Sequence, residues 1–207
     1  MKFGLFCFAL LTVLGVAEGR KPPIEKSIVA LQMRDSEGVY TTFCSGIVAQ
    51  TVPVPYVLTE AHCIDGEDIT KMRVDGKALA EVARSHELVL LRVQGWLASY
   101  IPARVAERDA PSGSRVRASG WAFGKFVAQT VGYTAGAWED ELFLDLQCVR
   151  GMSGGPIVDD EGHVVTLVRG FQTDAPDFGT SPNGFTVGAR TSFLRDLLVV
   201  MRNSEAR

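Results

Sequence analysis

The chain has 207 residues, 46% of them hydrophobic, and carries 21 Lys and Arg against 24 Asp and Glu for a net charge of −3. So mild an acidity, with no aromatic residues interleaved in a basic run, argues against nucleic acid or an anionic membrane as partner. The length suffices for one large core or two small barrels, and no internal repeat or low-complexity tract divides it.

The first segment has the pattern of a leader. Lys2 precedes an apolar run over 3–17, which ends in Ala17-Glu18-Gly19 before Arg20-Lys21-Pro22-Pro23. A basic residue, a short apolar stretch and small residues at the cut predict a secretory signal peptide, residues 1–19, cleaved after Gly19. The apolar stretch is short for a membrane span, which needs about 20 residues, and an uncleaved anchor is the alternative. The expected location is secreted or periplasmic, with no stable membrane insertion once the leader is gone.

Short apolar runs separated by Gly, Asp, Ser or Pro then predict strands at 27–33, 39–48, 56–59, 69–74 and 87–93. A stretch over 94–113, holding Pro102 and Pro111, interrupts the pattern. A second set follows at 114–119, 125–133, 141–146, 156–158, 164–168 and 184–187. The last segment changes period: Phe193, Leu194, Leu197, Leu198 and Met201 share one face of a helix over about 192–203, with Thr191 or Ser192 as its cap. Many short strands at near-regular spacing predict an all-β fold of two Greek-key β-barrels, about 24–100 and 111–190, packed with the active site between them and followed by a C-terminal α-helix.

Gly151-Met152-Ser153-Gly154-Gly155-Pro156 sets a serine among three glycines, which permit a tight turn with backbone N–H groups converging on one space. A hydroxyl beside such donors is the minimum equipment for acyl transfer. A serine needs a base, and the histidines are His62, His86 and His163. His62 follows a short apolar run and precedes Cys63. His86 stands at a strand start, and His163 falls in a hairpin turn, Asp159-Asp160-Glu161-Gly162-His163. Glu87 opens the apolar run Leu88-Val89-Leu90-Leu91. No two histidines or cysteines show ligand spacing, so neither a metal nor another cofactor is expected.

Taken in order, these motifs resemble the trypsin/chymotrypsin-like serine peptidase superfamily, in the style of its bacterial and Deg-type members without an appended PDZ domain. Thr59-Glu60-Ala61-His62-Cys63 is similar to the family's T-A-A-H-C, Glu87-Leu88-Val89-Leu90-Leu91 to its D-(I/L)-A-L-L, and the Ser153 motif to its G-D/N-S-G-G-P. Ser119-Gly120-Trp121 and Gly184-Phe185-Thr186-Val187 resemble the opening of the second barrel and the strand before the final helix. The resemblance implies Ser153 as nucleophile, His62 as general base and then acid, Glu87 as the carboxylate orienting His62, and the N–H groups of Gly151 and Ser153 as oxyanion hole. It further implies a Cys44–Cys63 disulfide clamping the histidine loop. It sets Gln147 at the base of the specificity pocket, with Val168, Arg169, Gly170 and Gly184 in its walls. Cys148 is left as a buried free thiol or an intermolecular link.

Two departures matter. The acid position holds glutamate, with Asp65, Asp68 and Asp75 as other carboxylates nearby in sequence. Met152 stands where zymogen-type relatives keep an aspartate that pairs with a newly cut amino terminus, so no such cut is expected here. The implied function is a secreted serine endopeptidase acting on polypeptides; the alternative is a catalytically weak or inactive peptide-binding protein of the same fold. An α/β-hydrolase reading of G-x-S-x-G fails, because Pro156 and a β-hairpin follow the serine where that fold needs a helix.

Overall fold

The computed structural model describes residues 23–175 and 179–205, with backbone alone over 173–175 and 179–183. The expected leader lies outside the described residues. After a 3₁₀ turn at Ile24–Ser27, the first half consists of β1 (Ile28–Arg34), β2 (Tyr40–Gln50), β3 (Tyr56–Glu60), β4 (Met72–Val74), β5 (Lys77–Ser85) and β6 (Leu88–Val93). They close into a barrel in the order β1-β2-β3-β6-β5-β4, with β4 returning to β1 through Leu31↔Val74. Val29, Leu31, Val48, Val57, Val89 and Leu91 fill its interior, the inward set of strands whose side chains alternate.

The expected strand over 69–74 needs correction. Ile69–Lys71 is a 3₁₀ turn in which the Thr70 N–H and hydroxyl both donate to the Asp68 carboxylate, and only Met72–Val74 is strand. β5 was not expected at all, because Ala78, Ala80, Glu81, Ala83 and Arg84 give it no apolar alternation. Its signal is the Asp75-Gly76 pair: both residues adopt positive φ, 53° and 75°, as a two-residue hairpin requires. Pairing with β6 along most of its length then holds a segment that propensity alone would not.

The second half holds β7 (Arg115–Ala122), β8 (Phe126–Trp138), β9 (Glu141–Asp145), β10 (Pro156–Val158), β11 (Val164–Leu167), β12 (Gly170–Ala175) and β13 (Gly179–Ala189). They form one seven-stranded sheet in the order β11-β10-β7-β8-β9-β13-β12. β12, also unexpected, is an edge strand paired with β13, and its apolar signal is confined to Phe171. The chain ends in α1 (Thr191–Glu205), as the change of period predicts.

Leu194, Leu197 and Met201 of α1 pack with Tyr56, Leu58, Leu88 and Leu90 of the barrel and with Val158, Val164 and Leu167 of the sheet. This shared cluster is the seam between the halves. Thr191 does not cap the helix, because it is already its first residue. The Asp109 carboxylate, from the connection between the halves, accepts the Thr191 N–H at 2.7 Å and pairs with Arg190. Cys44 and Cys63 are joined in a disulfide, and Cys148 is a buried free thiol that burial pushes up to about 11. Among the described residues no helix is long and apolar enough to cross a membrane.

Candidate active site

β3 ends at Glu60, and the chain turns at once into a 3₁₀ turn, Ala61–Cys63, that carries His62 at the surface while burying Ala61 and Cys63. The Ala61 N–H donates to the Glu87 carbonyl at 2.6 Å, and Glu60 pairs with Leu88. The strand ladder thus sets the His62 turn beside the residue that opens β6.

Ser153 lies in the loop between β9 and β10, and the loop is fixed from both halves of the molecule. Within it, Met152 N–H bonds to Val149 carbonyl, and Met152 itself is fully buried among Ala118, Cys148, Ile157 and Val165. The thioether is therefore a core residue, which fits the departure read at that position. Phe123 N–H donates to the Arg150 carbonyl at 2.7 Å, and Gly154 N–H to the Val168 carbonyl at 2.8 Å. Gly151 and Gly154 both have positive φ, and a Cβ on either would strike a backbone oxygen, Trp121 at 2.2 Å or Ser45 at 2.1 Å. The glycines are there because neighbouring backbone occupies the space.

The deepest clamp is Ser45 of β2. Its N–H donates to the Ser153 carbonyl at 2.7 Å, and its hydroxyl donates to the Gly151 carbonyl at 2.8 Å while accepting the Trp121 N–H at 2.8 Å. Its own carbonyl takes the Thr59 hydroxyl at 2.8 Å. With the Arg150, Gly151 and Ser153 carbonyls engaged, the Gly151 and Ser153 N–H groups have no acceptor among the described residues. Two donors held in place without a partner are what an oxyanion would find.

The Cys63 sulfur lies 3.9 Å from His62 Nε2 and 3.8 Å from the Ser153 carbonyl oxygen, so the histidine and the serine loop flank one atom. His62 makes no hydrogen bond to Ser153 or Glu87 among the described residues. Its imidazole is held below the ordinary value, first by loss of water against the protein and next by the Arg169 charge, with Glu87 and Asp65 pulling the other way. A ring neutral near pH 7 is the form a general base requires.

Glu87 is half-buried, with its carboxylate 3.7 Å from Arg169 Nη2; Arg169 also pairs with Glu141. The other carboxylates are otherwise employed: Asp65 pairs with Arg84, Asp68 caps the turn at Thr70, and Asp75 pairs with Lys77. Gln147 is exposed and lines a hollow with Thr130, Val131, Asp145 and Gly184. The Val168 N–H and carbonyl are both taken by the serine loop, through Gly155 and Gly154, and Gly170 opens the edge strand β12. His86 stacks on Phe193 at 4.8 Å, and His163 lies beside Asp159 and Glu161, so neither joins the site. Cys44, His62 and Cys63 hold ligand atoms within 4.8 Å of one another, but the disulfide consumes both sulfurs, leaving one nitrogen for a metal.

Two residues at the site were not singled out from sequence. Ser45 gives no signal beyond its place after Cys44. Glu60 does give one, since it stands where T-A-A-H-C has alanine and carries a charge into an apolar strand end.

Residues 44–167 match the family model of the trypsin-like peptidase domain. No curated protein matches the sequence. Among solved structures, the chain is similar to the Rv3671c protease of M. tuberculosis in its inactive form (TM-score 0.66, 19% identity, 85% of this chain and 89% of that one). The active form of that protease gives the same score and identity over 85% and 81%. The HtrA-type protease AlgW with a decapeptide also matches (TM-score 0.66, 18% identity), over 86% of this chain and 65% of that one. At these identities the likeness concerns the fold.

Proposed function

The chain belongs to the trypsin-like peptidase family, and from that premise we propose that it is a secreted serine endopeptidase working through Ser153, His62 and Glu87. The observation that carries this reading is the clamped serine loop, whose Gly151 and Ser153 N–H groups have no acceptor among the described residues, while the Cys63 sulfur lies 3.8 Å from the Ser153 carbonyl oxygen and 3.9 Å from His62 Nε2. In the reaction His62, turned from the Cys63 sulfur, takes the Ser153 hydroxyl proton as the oxygen attacks a peptide carbonyl. The oxyanion is received by the two N–H groups, and the imidazolium passes its proton to the leaving amine, giving an acyl-enzyme that water hydrolyses by the same steps. Glu87, released from Arg169, orients the ring. Because Met152 is buried in the core, no carboxylate awaits a new amino terminus, which supports folding directly into a competent state. The edge strand β12 offers an extended polypeptide a ladder of backbone groups, and AlgW, a structural neighbour, is seen with a decapeptide. Residues 1–19 would direct export and be removed.

Fluorophosphonate labelling of the native chain tests the proposal. Ser153 should label and Ser153→Ala should not, and Ser153 or His62 substitutions should cost on the order of 10⁴–10⁶ in kcat. A folded native chain that never labels, yet binds an extended peptide, would instead support the binding-protein reading. That second reading is favoured by one observation: His62 lacks a hydrogen bond to either proposed partner.

A further inference from the structure

Arg169 lies between β11 and β12, and its backbone is fixed on both sides. Its N–H donates to the Val187 carbonyl at 2.9 Å, and Val168 before it is held by the serine loop through both N–H and carbonyl. Two carboxylates flank the side chain: Glu87, just ahead of β6, and Glu141, the first residue of β9. The turns that lead into these strands face each other, with His86 Nδ1 3.8 Å from Asp140 Oδ2. Arg190 anchors the β9 turn, its N–H and guanidinium donating to the carbonyls of Asp140 and Glu139 at 3.0 Å. Glu141 itself is paired with Trp138 of β8 and with Ala189 of β13.

The guanidinium does not treat the two carboxylates alike. Its Nη1 donates a hydrogen bond to Glu141 Oε1, whereas its Nη2 stays 3.7 Å from Glu87 Oε1. An N–H···O bond spans roughly 2.7–3.2 Å, so Glu87 has a cation beside it but no hydrogen bond from it. The shorter, hydrogen-bonded contact is the stronger of the two. We propose that Glu141 is a positioning residue of the site: by holding Arg169 it keeps the guanidinium from closing on Glu87, whose carboxylate stays available to orient His62. The proposal rests on the triad proposed above. With Glu141 neutralised, Glu87 is the one ion-pair partner left to Arg169 among the described residues. A guanidinium is a planar fork that grips a carboxylate through both oxygens, and a pair so closed leaves His62 without its orienting acid. No atom of the triad need change for this to happen.

The test is Glu141→Gln in the full chain, which removes the charge while keeping the size of the side chain and the strand pairing. Peptide hydrolysis is measured at about pH 8, where an ordinary imidazole is already neutral, so that protonation of His62 does not enter. The substitution is expected to lower kcat roughly tenfold with little change in KM, within the range of coupling between contacting residues. On an Arg169→Gln background the same substitution should cost nothing further, because no fork remains to close on Glu87. A crystal structure of Glu141→Gln should show Arg169 hydrogen-bonded to Glu87. An equal loss on both backgrounds would make Glu141 a structural residue of β9 and overturn the proposal. So would an unchanged kcat, or a guanidinium in that crystal still apart from Glu87. Failure of the peptidase reading looks different: the native chain would not label with fluorophosphonate, while the crystal structure would still decide whether Glu141 restrains Arg169.

Discussion

The hydroxyl of Ser45 is shared between a carbonyl and an N–H of the opposite half of the molecule, at Gly151 and Trp121. Removing it leaves the buried Gly151 carbonyl and the part-buried Trp121 N–H without this partner, at a cost of about 1–3 kcal/mol for a buried unsatisfied group. It also frees the peptide plane after Gly151, next to the donors proposed for the oxyanion. Ser45→Ala is therefore expected to lower kcat about 10- to 100-fold with little change in KM, and to weaken a peptide aldehyde more than an uncleavable peptide. Equal weakening of both inhibitors would mean that the hydroxyl serves folding alone. Ser153 and His62 are legible in sequence because the proposed nucleophile and base are recognised by their own chemistry. Ser45 is not: its role comes from Gly151, 106 residues away, and nothing local announces it.

At the scale of elements, α1 is stabilised by a residue that no helix pattern contains. Asp109 lies in the connection between the halves and receives the first N–H of the helix. Burial by itself would raise its carboxyl, but the Thr191 N–H and Arg190 hold it below the usual carboxylate value. A carboxylate depressed in the folded state contributes its stability in full above the unfolded value of about 3.9, and loses it as pH falls through the folded value. Asp109→Asn should thus cost about 1 kcal/mol at pH 7 and progressively less toward pH 3, measured by urea unfolding at both. The same gap at the two pH values would rule out the charge as the source. The helix itself was legible, because Leu194, Leu197 and Met201 recur at helical spacing. Its cap was not, since a cap supplied from 82 residues away leaves only a misleading Thr191 in the local sequence. β5 was lost for the related reason that barrel closure, rather than its own side chains, holds it.

For the whole molecule, the decisive feature is the seam, where barrel, sheet and α1 share one apolar cluster. The Cys44–Cys63 bond lies in the barrel beside this seam, one residue from Ser45 at one end and one from His62 at the other. Closing a loop of this length is worth about 3 kcal/mol in the chain-entropy model. Reduction should lower the unfolding free energy by about that amount and slow fluorophosphonate labelling while the chain remains folded. Unchanged labelling in the reduced, folded protein would limit the bond to a stability role.

What the sequence by itself determined is the all-β class, the terminal helix and the chemical identities of serine, histidine and glutamate in family order. Those follow from periodicity and residue type, which are local properties. Tertiary structure alone decided that Arg169 stands between Glu87 and Glu141, that Ser45 holds the serine loop and that Glu60 is fully buried. The reason is physical: hydrogen bonds and charges act across a few ångströms of space, and in a chain folded from two halves those ångströms join residues a hundred positions apart.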